Sequence, residues 1–226
     1  MDAKQMAAER GAELVESGMT IGLGSGSTAT LMVQALGRKL KDGMLRDIRG
    51  VPTSSAIAAV ARDAGVPLTT LDEHPALDLD IDGADEVDPN LDLIKGLGGA
   101  LLWEKVVATA AKRLVILVDE SKLVPRLGSK APLPVEVIPF GWKAHVPFIE
   151  SLGGKPALRS GKDGKPYVTD EGNYILDCRF DAIRSPAALE AKLLTRAGIV
   201  ATGLFLGMTE RVIIGKADAV EVRSAR

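Results

Sequence analysis

Cysteine is nearly absent: Cys178 stands alone among 226 residues. An internal disulfide framework is therefore excluded, and a single thiol fits a reducing compartment. Histidine is almost as scarce. His74 and His145 share no motif with each other or with Cys178, and both are expected to be structural or exposed. Aromatic residues make up 4%, too few to argue for a platform on which bases stack; Trp103 and Trp142 are expected to pack. Neither sign of charge dominates, with 28 Lys and Arg against 30 Asp and Glu and a net charge of −2. That balance argues against nucleic acid and anionic membranes as partners, while leaving room for a local positive pocket around a small anion. No apolar run approaches the roughly 18 residues of a membrane span. Met1-Asp2-Ala3-Lys4-Gln5 also lacks the apolar core of a signal peptide. A cytoplasmic protein without membrane attachment is expected.

What is present is 46% hydrophobic and 26% charged, which suits one large domain or two small ones. Residues 3–17 have an amphipathic helical pattern. Strands are expected at 19–24, 48–52, 66–71, 77–81 and 114–118, with helices at about 27–40, 54–64 (capped by Ser54) and 99–112. Strands alternating with helices, several apolar on both faces, indicate a parallel sheet covered on both sides. The grammar changes near Pro132-Leu133-Pro134. Strands at 135–139, 156–159, 173–180 and 200–206, with helices at 143–152 and 187–196, follow the order βαββαβ, the ferredoxin-like pattern. Short strands at 212–215 and 219–222 return to the first domain. The expected fold is α/β: a parallel-sheet, Rossmann-like domain (1–131 and 207–226) carrying an inserted ferredoxin-like α+β small domain (132–206).

Three stretches carry chemistry. Gly22-Leu23-Gly24-Ser25-Gly26-Ser27-Thr28 joins a strand to a helix; backbone N–H groups, the helix N-terminus and three hydroxyls there suit a phosphate. A dinucleotide site would want an acid at the end of the next strand, where this chain has Val51-Pro52-Thr53-Ser54; a ligand-free turn is the plain alternative. Asp80-Ile81-Asp82-Gly83-Ala84-Asp85-Glu86 follows an apolar strand. Asp82 and Asp85 there could hold sugar hydroxyls, could hold a metal, or could be turn and cap acids. A metal is the weaker option, because no histidine or third carboxylate sits at ligand spacing. Lys95-Gly96-Leu97-Gly98-Gly99 then leads to Glu104 near the start of a helix. A carboxylate and an ammonium at a glycine-rich approach can move protons and stabilise an oxyanion. By spacing alone, Glu104 could equally be a surface acid paired with Lys105. Lys122, after another apolar strand, shares that edge.

With these motifs in place the chain resembles the A-type ribose-5-phosphate isomerase family. The matching segments run in order: GLGSGSTA at 22–29, PTS at 52–54, DIDGADEVD at 80–88, LIKGLGGALLWEK at 93–105, VDESK at 118–122, PLPVEV at 132–137, GGKPALR at 153–159, DEGNYILDC at 170–178 and GLFLG at 203–207. The resemblance implies interconversion of ribose 5-phosphate and ribulose 5-phosphate through an enediol, with no cofactor and no metal. Carried over by position, Glu104 is the base, with Asp82 and Lys95 also catalytic. Ser25, Gly26, Ser27, Thr28 and Lys4 hold the phosphate. Asp82, Gly83, Ala84 and Asp85 face the sugar, and Lys95, Gly96, Leu97 and Gly98 face the reacting oxygen. Lys122 also reaches the substrate. The chain departs from the family at Ser25, where threonine is usual, and at Leu97, which interrupts a usual glycine triplet. A homodimer or homotetramer is implied. Two other readings stay open: a related sugar-phosphate isomerase or deaminase, and a non-catalytic phosphosugar-sensing domain.

Overall fold

The computed structural model describes residues 2–225. In chain order the elements are α1 (Ala3–Ala12), β1 (Thr20–Leu23), α2 (Ser27–Lys41), β2 (Arg49–Pro52), α3 (Ser55–Asp63), β3 (Leu79–Gly83), β4 (Glu86–Val87), β5 (Leu93–Ile94), α4 (Leu101–Ala110) and β6 (Leu114–Asp119). There follow β7 (Leu133–Val137), α5 (His145–Ser151), β8 (Lys155–Leu158), β9 (Tyr174–Arg179), α6 (Pro186–Leu194), β10 (Ile199–Thr202), β11 (Leu204–Phe205), β12 (Thr209–Gly215) and β13 (Val220–Ser224). Contacts group these into two units, one of Met1–Ala84, Trp103–Leu123 and Gly207–Arg226, the other of Asp85–Leu102 and Val124–Leu206.

The first unit is built on a six-stranded sheet in the order β13-β12-β6-β3-β1-β2. All its pairings are parallel except that of the edge strand β13 with β12. The β1–β3 register aligns Ile21 with Leu79, Gly22 with Asp80 and Leu23 with Ile81. Because strand side chains alternate between faces, Ile21, Leu23, Leu79 and Ile81 share one face and form the main core with Ala8 of α1, Met32 and Leu36 of α2 and Ile57 of α3. Each large aliphatic side chain buried there contributes about 1.5–3 kcal/mol. On the opposite face Val51 and Leu77 pack with Val107 of α4. Ser54 does cap α3, its side chain accepting from the Ile57 N–H. Residues 66–71, expected as a strand, form only an isolated bridge between Gly50 and Leu68. Pro67 lacks the N–H that a ladder requires, and the chain turns at once, the His74 N–H donating to the Thr70 carbonyl. Helix α4 begins at Leu101 rather than at residue 99, since Gly99, at φ +88°, still belongs to the preceding turn.

The second unit contains a wholly antiparallel sheet in the order β10-β7-β9-β8. Numbered by chain order within this sheet, that is fourth, first, third, second, the arrangement that βαββαβ connectivity produces in a ferredoxin-like domain. Leu133, Val135, Val137, Leu176 and Cys178 of its core face pack with Ile149 of α5 and Leu193 of α6. A small sheet in the order β11-β5-β4, absent from the sequence reading, belongs to the same unit. Strands of two residues carry too little periodicity to be read from sequence. This sheet and the Glu86 carboxylate account for the grouping of 85–102 and 124–131 with the second unit rather than with the larger domain. Glu86 is fully buried and accepts from the N–H groups of Gly128, Lys130 and Ala131 at 2.6–2.7 Å.

Candidate active site

The glycine-serine turn leaves the carboxyl end of β1 and opens α2. Gly26 is its N-cap at φ +101° and ψ 177°, a conformation that only glycine adopts without strain. The Ser25 hydroxyl is committed internally, to Thr53 Oγ1 at 2.8 Å and Ser54 Oγ at 2.7 Å. It ties the turn to the end of β2 and so explains the PTS segment. Ser27 is exposed, and its Oγ accepts from Lys4 Nζ of α1 at 3.1 Å; Thr28 is buried in the first helical turn. At the end of β6 stands the charged Asp119. Burial acts to raise its carboxyl, but hydrogen bonds from Ser121 and the charges of Lys122 and Lys4 outweigh this and hold it below the usual carboxylate range. The N-terminus of a 15-residue helix and the ammonium of Lys4 thus meet at one place, with Lys122 in the same electrostatic neighbourhood, a fitting surround for an anion.

The sheet explains the spacing of glycines and acids. A Cβ on Gly22 would lie 2.4 Å from Asp80 Oδ1, and one on Gly24 would lie 2.2 Å from Asp82 Oδ1. Both acids fill the room that glycine leaves on the neighbouring strand. Asp80 is completely buried. Asp82 Oδ1 accepts from the N–H groups of Ser25 at 3.0 Å and Gly83 at 2.7 Å, so the carboxylate is oriented by the turn beside it. β1 and β3 are neighbours although β2 intervenes in the chain, which is the switch point where open α/β sheets bind ligands beyond their carboxyl ends.

Helix α4 brings Glu104 to this edge. The Leu77 N–H, two residues before β3, donates to the Ala110 carbonyl, and the Lys112 N–H donates to the Leu77 carbonyl, so the helix runs back against the strand direction. A Cβ on Gly22 would meet Val107 Cγ1 at 2.5 Å, and Glu104 lies one turn earlier on the same face, toward the carboxyl end. It is 5% exposed. The solvated acid allowed by its spacing is therefore not what forms. A carboxylate in the first turn also benefits from the helix dipole.

The remaining expected residues lie in the second unit. Asp85 Oδ2 accepts from the Leu97 N–H at 2.9 Å. Lys95 is 3% exposed, its N–H donates to the Gly203 carbonyl at 2.9 Å, and its Nζ lies 5.5 Å from the centroid of the Phe205 ring. A Cβ on Gly203 would come within 2.3 Å of the Lys95 carbonyl, so the GLFLG segment serves as the bed of this lysine. Leu97 and Gly98 are exposed.

Residues 49–219 match the sequence profile of the family described as ribose 5-phosphate isomerase A (phosphoriboisomerase A). The ribose-5-phosphate isomerase A of Roseiflexus castenholzii is 54% identical over 217 residues, covering 96% of this chain and 93% of the relative. A D-ribose-5-phosphate isomerase solved in complex with phospho-erythronic acid superposes with a TM-score of 0.96 at 42% identity, covering 98% of this chain and 97% of that one. The ribose 5-phosphate isomerase A of Methanocaldococcus jannaschii gives 0.93 at 39% identity, with 98% of each chain covered.

The chain belongs to the ribose 5-phosphate isomerase A family. It is an isomerase, and the interconversion of ribose 5-phosphate and ribulose 5-phosphate in the pentose phosphate pathway follows from that membership. Neither the sensing-domain reading nor the related isomerase or deaminase is favoured. Hydrogen bonding separates the acids of the DIDGADEVD segment by task. Glu86 is a staple, and Asp88 makes an Asx turn, its Oδ1 accepting from Asn90 at 2.8 Å and Asp92 at 3.0 Å. Sequence reasoning missed the supporting roles of Thr53, Ser54 and Phe205, although all three stand inside family segments. A cavity of about 600 Å³, lined by Val51, Pro52, Ser55, Trp103 and Val106 among others, contains none of the expected site residues. Among the described residues no group of three or more His, Cys, Asp or Glu side chains could hold a metal ion. No described helix is long and apolar enough to cross a membrane.

Proposed function

We propose that this chain isomerises D-ribose 5-phosphate with Glu104 as the base that carries the proton between C2 and C1, and without a cofactor. The Glu104 carboxylate takes the proton from C2, and C1=O becomes the enediolate oxygen. The ammonium of Lys95 and the backbone of Gly96–Gly98 stabilise that oxygen. Glu104 returns its proton to C1 while the O2 proton passes to O1 through the Asp82 carboxyl, leaving C2=O. Asp85, with Gly83 and Ala84, binds sugar hydroxyls. Gly26, Ser27 and Thr28, with Lys4 and Lys122, hold the phosphate, and Ser25 shapes that turn through Thr53, Ser54 and Asp82; the clamp fixes the substrate so that the base meets the right C–H bond.

The observation that carries this reading is the burial of Glu104 in the first turn of α4, beyond the carboxyl ends of β1 and β3 and on the strand edge from which α2 starts. The phospho-erythronic acid held by a close structural relative supports a sugar phosphate as ligand. A cytoplasmic location is proposed on the strength of the lone buried thiol, and a homodimer or homotetramer on the family resemblance; light scattering of the purified chain checks the latter. The deciding experiment is Glu104→Gln, which keeps the shape and removes the base. Isomerisation and C2 proton exchange should fall by about 10²–10⁴-fold or more with the melting temperature little changed. Near-wild-type turnover would assign the proton transfer to another group.

A further inference from the structure

The loop that enters the proposed site as Gly96-Leu97-Gly98 is held from behind by one side chain to which no task has been assigned. Arg159 follows β8 and is 11% exposed. Its Nε and Nη2 donate to the two oxygens of Asp177 on β9, at 2.9 and 2.5 Å. Its Nη1 donates to two consecutive carbonyls, Gly96 O at 2.9 Å and Leu97 O at 3.1 Å. Four of the five N–H donors of the guanidinium are therefore spent on one carboxylate and one loop. Arg159 also stacks 5.8 Å from the centroid of the Tyr167 ring, and Tyr167 packs against Gly99, where an added Cβ would lie 2.2 Å from its hydroxyl.

The geometry dictates what this grip does. In a trans peptide the C=O and the following N–H point in opposite directions, and the chain has no cis bond among its described residues. Drawing the Gly96 and Leu97 carbonyls toward the guanidinium turns the N–H groups of Leu97 and Gly98 the other way. The Leu97 N–H meets Asp85 Oδ2 at 2.9 Å. The Gly98 N–H is turned away from the guanidinium by the same rule, on a residue that is exposed. A positive charge on a carbonyl also polarises the amide and strengthens its N–H as a donor.

We propose that Arg159 is a positioning residue for the isomerisation. Anchored by Asp177, it sets the 96–98 backbone so that the Gly98 N–H meets the enediolate oxygen, while the Leu97 N–H, spent on Asp85, sets that carboxylate. This rests on the role proposed above for the Gly96–Gly98 backbone. Arginine is required because a compact ammonium cannot span a carboxylate and two carbonyls at once.

The test measures kcat and KM for ribose 5-phosphate, the Kd of phospho-erythronic acid and the melting temperature in Arg159→Gln, Arg159→Lys and Asp177→Asn. Loss of one oxyanion donor reduces kcat by about 10²–10³-fold. A misaimed donor should lose less, about 10–100-fold in kcat for Arg159→Gln and nearly as much for Arg159→Lys, with KM within about threefold. Phospho-erythronic acid, whose planar carboxylate resembles the enediolate, should bind more weakly in parallel. Asp177→Asn should move kcat in the same direction, and joining it to Arg159→Gln should add little, because the two act as one unit. If Arg159→Gln does not fold, Arg159→Lys and Asp177→Asn decide. Unchanged kcat in the folded variants, with only the melting temperature or KM altered, overturns the positioning role. Isomerisation by the wild type that is lost in Glu104→Gln would leave the functional reading intact in that case. A wild type that does not isomerise ribose 5-phosphate overturns both.

Discussion

Replacing Gly24 by alanine tests the packing on which the first half of the site depends. The new Cβ would lie 2.3 Å from the Asp82 Cα, about 1 Å short of the 3.4 Å at which ordinary contact begins. The obstructing atom is backbone in the interior of a six-stranded sheet, so no rotamer change relieves the clash. Overpacking of this kind costs about 1–3 kcal/mol and sometimes more, and an immobile neighbour places Gly24→Ala at the upper end. For a chain of this size about 3 kcal/mol lowers the melting temperature by about 6–12 °C. Relief can come only by prising β1 from β3, which lengthens the Ser25 N–H contact to Asp82, 3.0 Å in the wild type. The isomerase activity of the folded fraction should fall along with stability. Gly98→Ala is the control for stability: nothing lies within 4 Å of its added Cβ, and its φ is not positive. Its melting temperature should stay level or rise by about 1–4 °C through a stiffer unfolded chain. Scanning calorimetry of the two variants is sufficient. A Gly24→Ala protein as stable and active as the wild type would show that the glycine–aspartate interlock has no energetic content.

Three further outcomes are expected. Lys95→Met should lower kcat by about 10²–10³-fold, Lys95→Arg should rescue it poorly, and exhaustive chelation should leave the wild type fully active; activity abolished by chelator and restored by a divalent metal would contradict this. Glu136 is fully buried; Thr169 and Asn173 each donate to its Oε1 at 3.0 Å, and burial, helped by Glu171, pushes its carboxyl above the ordinary 4.5. A raised carboxyl contributes stability below the ordinary value and loses it as pH rises through the folded one, so the melting temperature of Glu136→Gln relative to wild type should climb from about pH 4 upward and then level off; a relative melting temperature that falls with rising pH refutes the assignment. Cys178 is buried, and burial with Asp177 nearby drives its thiol far above its usual value, so a thiol reagent at pH 8 should label the chain only after urea unfolding, and labelling faster than unfolding would contradict its placement.

The sequence by itself determined the kinds of element and the chemistry available to them. Apolar runs such as Leu114–Val118 are legible as buried parallel strands because periodicity is local, and Ser54 is legible as a cap because its partner Ile57 is three residues away. The candidate bases, lysines and glycine turns were also readable, since each is a short segment with a recognisable composition. Burial and pairing over long separations were not readable. Whether Glu104 faced solvent or the sheet depended on the register that sets Val107 over Gly22. Whether Ser25 offered its hydroxyl to a ligand depended on Thr53 and Ser54, 28 and 29 residues away. Glu86 reads in sequence like its neighbours Asp82 and Asp85, yet it became a structural staple because residues 128–131 returned to it. Arg159 looks like any surface arginine until the fold sets it 62 and 63 residues from the carbonyls it grips. Side chains acquire these tasks from neighbours that only the folded chain supplies, because a hydrogen bond acts over about 3 Å and local sequence says nothing about which distant segment will come that close.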